Sequence, residues 1–513
     1  METTRKDGVA NVTHLESGSE PTGYTEKPLE PEYTKSGYSI ARMSNSHKEF
    51  ILSRHGTLDL DPMPSEDPNE PYNWPRWKSL LNLSLLSFHA LMVGFMTGGP
   101  ISAFGAFADE FDVSIDAAAY TVSVPIVILG MAPLFWLPLS ARFGRRPIWL
   151  TTTILSMVCN IGCACSHSYS QIMVARAFQS FFNAPAGAIG SAVVIELFFA
   201  SERGQKLGVW TVAVTLGNPL GPLLMGFVAT RVGWRWIFWI FSIINGIQFF
   251  AFLFLSPETR YVQGVDGFNT GEKLTFTDKY LRFGRIPGSD RLVPRDFWAP
   301  ITLLRDLNIS TTALSHMVIF CFCSVLVNVE IPNLIGTKFN LNFESIGLNF
   351  IPLVIGNVIG EVMSGPLSDW WCGRATKNGV PARPERRLWL LYPALGICVA
   401  GLVVFLVTLD EATPGQWNVR PNIGLALAGL GNQMSTTIFF TYGVEKNIAR
   451  SGEVGVALVM VRQIWSFIGP FWFPAMFASI GLRGSAALCS ALMVVFSGLV
   501  MVIQQFWIGP RHT

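Results

Sequence analysis

"LWLLYPALGICVAGLVVFLVTL", Leu388 to Leu409, runs for 22 residues without a charge and without alternating apolar and polar side chains. A hydrocarbon core of about 30 Å takes about 20 apolar residues to cross as a helix. Barrel strands also satisfy every backbone group in lipid, but they alternate over about ten positions. The segment therefore reads as a membrane-spanning helix, and the fold depends on how many more the chain holds.

Half of the 513 residues are hydrophobic, only 14% are charged, and the mean hydropathy is +0.38. That is more apolar surface than a water-soluble domain needs. Runs of similar length predict helices over 79–107, 116–139, 147–165, 170–198, 206–230 and 234–255. Six more are predicted over 309–333, 345–367, 386–407, 421–444, 454–479 and 484–507. The expectation is an all-α polytopic membrane protein with twelve helices in two six-helix bundles, 79–256 and 309–507.

Between the bundles, residues 257–308 are mixed in charge and punctuated by Gly and Pro, and predict a linker with one short amphipathic helix. Residues 1–78, rich in Ser, Thr, Glu, Pro and Lys, lack an apolar core or a signal-peptide core and predict a disordered tail. Residues 508–513 form a short second tail. One set of short loops carries Arg142, Arg145, Arg146, Arg203, Lys206, Arg374, Lys377, Arg383, Arg386, Arg387, Lys446 and Arg450. The other set carries fewer cations: Arg231, Arg235, Lys338, Arg420 and Arg483. Since Lys and Arg are retained on the cytoplasmic side, both termini and the linker are expected there. The expected location is the plasma membrane, with a vacuolar or vesicular membrane as the alternative.

The eight cysteines give no pattern of disulfides or metal ligands: seven fall in predicted helices and Cys372 in a loop. A Gly-x-x-x-x-Gly-Lys-Ser/Thr motif is absent, so direct ATP drive is unsupported, and no His-Glu-x-x-His or other catalytic cluster suggests an enzyme. Nothing points to a cofactor, a metal, a nucleic acid or an obligate protein partner. The expected partners are a small-molecule substrate, protons and the lipid bilayer.

An internal repeat supports two related halves. "PLSARFGRR" from Pro138 has a partner in "GPLSDWWCGRA" from Gly365, with Pro138, Leu139 and Ser140 aligning on Pro366, Leu367 and Ser368. Both copies follow the second helix of their half. Such duplication is common in secondary transporters, whose halves rock about a central site.

The first copy resembles the loop motif of the major facilitator superfamily: Gly, three residues, Asp or Glu, Arg, any residue, Gly, Arg, then Arg or Lys. Arg142, Gly144, Arg145 and Arg146 match, whereas Leu137 stands where Gly is usual and Ala141 where the acid is usual. In the second copy Gly365 and Asp369 match. "DPNEPYNWPRWK", "RAFQS", "ERGQKLGVW", "GWRWIFWI" and "PERRL" resemble fungal members of the twelve-helix drug:proton antiporter branch. "GNPLGPLLMG" resembles the helix-five antiporter motif, with Gly217, Gly221, Pro222 and Gly226 in place and Met225 replacing one glycine. The resemblance implies that the loop residues Arg142, Gly144, Arg145, Arg146 and Asp369 form a latch that helps lock the two halves. The missing acid leaves Arg142 and Arg145 to find a partner, for which Glu445 and Glu453 are candidates. Topology charge and ordinary small-residue packing are the plainer readings of the two motifs.

Polar groups at membrane depth are costly unless paired or facing an aqueous cavity, so each is a candidate site. The set is His89, Arg176, Gln179 and Glu196 in the first half, and His316, Asn328, Asn357, Glu361, Asn432, Gln433, Arg462 and Gln463 in the second. Arg176 and Gln179 match the family's helix-four Arg-x-x-Gln pattern, which the resemblance ties to proton coupling; a snorkelling Arg176 is the alternative. Glu361 is the candidate for reversible protonation, and a structural salt bridge to Arg462 is its rival. His89 is a second titratable candidate, or a packed histidine. Asn432 and Gln433 are placed to orient substrate or to join helices. The expectation is proton-coupled efflux of an amphipathic small molecule (toxin, drug or fungal secondary metabolite) by alternating access. The alternatives are uptake of a nutrient, vitamin or sugar, suggested by "PETR" at Pro257, or a non-transporting sensor or membrane enzyme.

Overall fold

In the computed structural model, residues 43–261, 292–374, 383–447 and 450–508 are described, and among them no strand occurs. The expectations for residues 1–42, 262–291, 375–382 (Lys377 among them), 448–449 and 509–513 lie outside that set. Ten stretches are long and apolar enough to cross a membrane. They are α1 (Arg76–Phe111), α2 (Ile115–Phe143), α3 (Arg145–Ala164), α4 (Tyr169–Leu197), α5 (Ala200–Val232), α6 (Arg235–Leu255), α7 (Leu307–Val329), α8 (Phe343–Gly373), α9 (Pro384–Glu411) and the 57-residue Ser451–Trp507. A further helix, α10 (Arg420–Lys446), has 27 residues and is less apolar because Asn422, Asn432, Gln433 and a Ser-Thr-Thr run interrupt it. Ser451–Trp507 bends at Gly481, where φ is +69° and ψ 176°, and so makes two helices, α11 before the bend and α12 after it. Among the described residues the total is twelve, with ends within six residues of those expected.

Polar caps set the ends. The Ser114 hydroxyl accepts from Ala117 N–H at 3.1 Å to start α2, and Asn342 Oδ1 accepts from Ser345 N–H at 2.8 Å to start α8. Just before each cap the chain turns through a left-handed residue, Asp112 at φ 52° and Asn340 at φ 51°, the residue types that tolerate that region. Asp112 and Asn340, and Ser114 and Asn342, are separated by the same 228 positions as Pro138 and Pro366. The duplication seen as a tripeptide thus extends through the backbone of the whole second helix of each half.

Two shorter helices accompany the twelve. Pro294–Thr302 is the amphipathic helix expected in the linker; Phe297 lies 6.1 Å from Phe135 of α2, ring to ring. Asn45–His55 is helical although it falls within the expected disordered tail. Ser44 accepts from His47 N–H and Gly56 closes the helix in the left-handed region, so both ends are capped despite the polar composition.

Helix α5 contacts both halves. Its Gly217 lies against Leu91 O, Gly94 and Phe95 N of α1, and its Gly221 against Phe95 O, where an added Cβ would sit 2.5 Å away. One turn on, Gly226 faces Phe343 O and Gly347 of α8. The ends of the helices that meet there form the far face; the opposite end, carrying the α2–α3 turn, is the latch face. Also at the far face, Arg231 pairs with Glu344 at 3.5 Å, and Asn333, just beyond α7, donates to Asp116 of α2 at 3.1 Å. Midway along the molecule α2 packs on α11, with Gly130 against Gln463, and toward the latch face Leu134 lies against Val456 and Met460.

Candidate functional site

The α2–α3 turn is made by Gly144 at φ +96°, a conformation that L side chains rarely adopt, and its Cα faces the Glu258 carboxylate. Glu258 lies in "PETR", just after α6. Its carboxylate accepts the backbone N–H groups of Arg145 (2.8 Å), Arg146 (3.0 Å) and Arg260 (2.8 Å). The first two are orphan donors at the start of α3, where the helix dipole also favours an anion. Burial holds the Glu258 carboxyl above the usual glutamate value, outweighing those three donors.

The side chains then diverge. Arg145, 4% exposed, donates to Glu196 of α4 at 2.9 Å and to the Ser140 hydroxyl at 2.6 Å, while Arg260 reaches the same Glu196 at 3.2 Å. Arg146 instead donates to Leu253 O at 2.7 Å and Ser256 O at 2.8 Å, capping the carbonyl end of α6.

The second half repeats the side-chain contacts of Arg145. Arg387, at the start of α9, donates to the Ser368 hydroxyl at 2.6 Å and to Glu445 of α10 at 2.7 Å. Ser140 and Ser368 are the aligned serines of the repeat. Here Asp369 adds a second carboxylate at 2.9 Å, in the position that Ala141 holds in the first half. The arginine itself was hidden from the alignment because the loop between α8 and α9 is longer than its counterpart. In the first half the second acid is Glu258.

One arginine thereby joins three helices at a corner in each half: Arg145 ties α3 to α2 and α4, and Arg387 ties α9 to α8 and α10. Glu445 and Glu453 were the expected partners of Arg142 or Arg145; for Arg145 this does not hold, since Arg145 is bound to Glu196, while Glu445 is bound to Arg387 and Glu453 to Arg450. These ion pairs lie within one half each.

That duplicated corner, on twelve helices arranged six and six, decides the family. The chain belongs to the Major Facilitator Superfamily. The superfamily's sequence profile matches residues 86–470. The cycloheximide resistance protein of Candida maltosa is 24% identical over 81% of this chain and 78% of its own. The efflux pump radE of Floropilus chiversii is 25% identical over 87% and 83%, and citrate exporter 1 of Aspergillus niger 27% over 64% of each chain. This Major Facilitator Superfamily chain is an integral membrane transporter, and its relatives support efflux transport in general.

Deeper in the transporter the polar candidates fall into separate groups. Arg176 is fully buried and its guanidinium is occupied: it donates to Thr121 O (3.2 Å), Met96 O (2.7 Å), Thr97 O (2.9 Å) and Gln179 Oε1 (3.0 Å). The residue four beyond Met96 is Pro100, which has no N–H to donate, and Thr97 precedes the 3-10 turn Gly99–Ala103, so Arg176 supplies donors where the α-helical ladder of α1 is interrupted. It does not snorkel. His89 is 1% exposed, contacts Gln248 Oε1 at 3.2 Å and lies edge-on to Trp149 and Phe252.

In the second half Glu361 of α8 meets α10. It accepts from Gln433 Nε2 and from the Thr437 hydroxyl at 3.0 Å, both neutral donors. Asn432, one residue away, keeps its Oδ1 without a partner. The expected rival, a Glu361–Arg462 salt bridge, is not formed among the described residues. Arg462 of α11 instead lies over the rings of Phe320 (4.3 Å) and Phe440 (5.7 Å). The structure thus brings Glu361 to Gln433, and Arg176 to Gln179, while keeping Glu361 and Arg462 apart.

Sequence reading missed Glu258, Thr437 and the ring pair. "PETR" was the available signal for Glu258. The Thr437 and ring contacts join residues of different helices, and no spacing along the chain marks them.

Proposed function

We propose that the transporter is a proton-driven exporter of amphipathic small molecules, working by alternating access, with its latch face toward the cytoplasm of a cell bounded by the plasma membrane. The observation that carries this reading is Glu361: a carboxylate inside the α8–α10 packing that holds only neutral donors. An ionised carboxylate at that depth is costly without a cation, and a proton taken up and released removes and restores the charge. Export rather than uptake is supported by the α5 motif, whose glycines bring α5 against α1 and α8, and by the names of the relatives.

The test is flux in energised vesicles. A fluorescent amphipathic dye should move against its gradient when a pH gradient is imposed, and an uncoupler should stop it. Glu361→Gln should abolish uphill movement while leaving downhill equilibration. Uphill flux in Glu361→Gln equal to that of the wild type would overturn the assignment of the proton to Glu361, and uncoupler-insensitive uphill flux would overturn proton drive.

A further inference from the structure

We propose that the second half holds an anion site on Arg462, and that the preferred cargo is a carboxylate attached to an apolar body. The proposal rests on the transporter reading above and names its substrate class.

A guanidinium inside a membrane bundle normally has its donors occupied. Arg176 shows how this chain does so, with four oxygen acceptors on one side chain. Arg462 is the opposite case. Among the described residues it makes no ion pair and no hydrogen bond, and its Nε is buried without a partner. What it has is aromatic: the faces of Phe320 from α7 and Phe440 from α10. Rings stabilise the cation through their π faces while leaving its in-plane N–H groups unused. Those are the donors that grip a carboxylate two at a time.

A second, independent group points the same way. His316 of α7 is fully buried and packs its ring against both Phe320 (6.1 Å) and Phe440 (5.7 Å). Its Nε2 contacts the Thr436 hydroxyl at 3.2 Å, but its Nδ1 has no partner. A buried ring nitrogen left open beside an unpaired guanidinium is a second polar contact for the same ligand. Arg462 retains some accessible surface although protein encloses it, as expected of a side chain lining an internal space.

Two turns of α10, Gln433 to Phe440, keep the charges of this half from neutralising each other. Gln433 and Thr437 face Glu361, Thr436 faces His316, and Phe440 faces Arg462. Gln433 and Phe440 share a face of α10 but stand seven residues apart, about 10 Å along its axis, so the acid and the cation are met at different heights on the helix. Each charge is left for a mobile partner: the proton on Glu361 and the cargo anion on Arg462.

The experiment is ligand binding to the purified full-length chain in detergent, without any gradient, followed by flux in vesicles. The probes are 1-naphthoate, its neutral counterpart 1-naphthamide, and citrate, an anion without an apolar body. Naphthoate should bind at least about tenfold more tightly than either other probe, and Arg462→Met should weaken it by about tenfold to a hundredfold while leaving naphthamide unchanged. Arg462→Lys, which keeps the charge but not the bidentate fork, should fall between. Each variant is first checked for a monodisperse elution profile, and if Arg462→Met fails that check Arg462→Lys decides. Equal binding of naphthoate and naphthamide to the wild type, or naphthoate binding that ignores Arg462, would overturn the anion site. Naphthoate binding with no proton-dependent flux of any probe would instead overturn the exporter reading and leave the site standing.

Discussion

Glu258 and Ala141 explain one another at the scale of single residues. The loop motif lacks its acid at Ala141, yet the α2–α3 turn still holds an anion, contributed from the chain after α6 and seated on the N–H groups of Arg145 and Arg146. Ala141→Asp should therefore be redundant and change vesicle flux by no more than about twofold, the range of an ordinary surface substitution. A drop beyond about tenfold would show that the turn needs its alanine. Glu258 also makes stability depend on pH. Its folded-state carboxyl titrates above the ordinary value near 4.3, so the folded chain keeps a proton that the unfolded chain has released. That contribution is fully present below about pH 4.3 and is lost as pH rises through the raised folded value. In a comparison of thermal midpoints, Glu258→Gln should gain on the wild type as pH increases through that window, and a constant difference would refute the linkage. The missing acid at Ala141 was legible, but the pairings were not, because the motif's arginines could be read along the chain whereas their acids come from Glu196 and Glu258, 51 and 113 residues from Arg145.

Helices were the most legible level, since an apolar run of 20 residues leaves lipid no other option for its backbone. What the sequence could not convey is that α5 uses neighbouring glycines for different purposes. Gly217 and Gly221 let α1 of the same half approach, whereas Gly226 lets α8 of the other half approach. The same substitution should therefore have two outcomes. A methyl at Gly217 would overlap Leu91 O inside the first bundle, so Gly217→Ala should lower folded yield, with an overpacking cost of about 1–3 kcal/mol. A methyl at Gly226 would sit 2.5 Å from Phe343 O across the interface, so Gly226→Ala should fold and instead prop the far face open. Elution profiles and far-face cysteine labelling separate the two. Equal loss of folded yield would mean that α5 is a uniform packing element.

For the whole molecule, the ion-pair corners lie within one half each, and other residues join the halves at the far face. Glu330 and Asp116 belong to opposite halves, and a single amide, Asn333 Nδ2, donates to both at 3.1 Å. Two carboxylates held by one shared donor make a contact that lasts only while the donor stays in place. Asn333→Ala removes both hydrogen bonds and leaves two acids facing one another, so attraction and repulsion change in the same direction. Hydrogen bonds to charged groups contribute about 1.5–3 kcal/mol, enough to move a two-state balance about tenfold or more toward the form open at the far face. The reporter is a cysteine at Tyr120, whose ring stacks on Phe471 across the interface, placed in a chain whose exposed Cys165 is replaced by serine. An impermeant maleimide applied from the far side should label it about tenfold faster in Asn333→Ala than in the otherwise identical parent. Unchanged labelling would show that the other far-face contacts, the glycine approach of α5 to α8 and the Arg231–Glu344 pair, hold the face closed without Asn333.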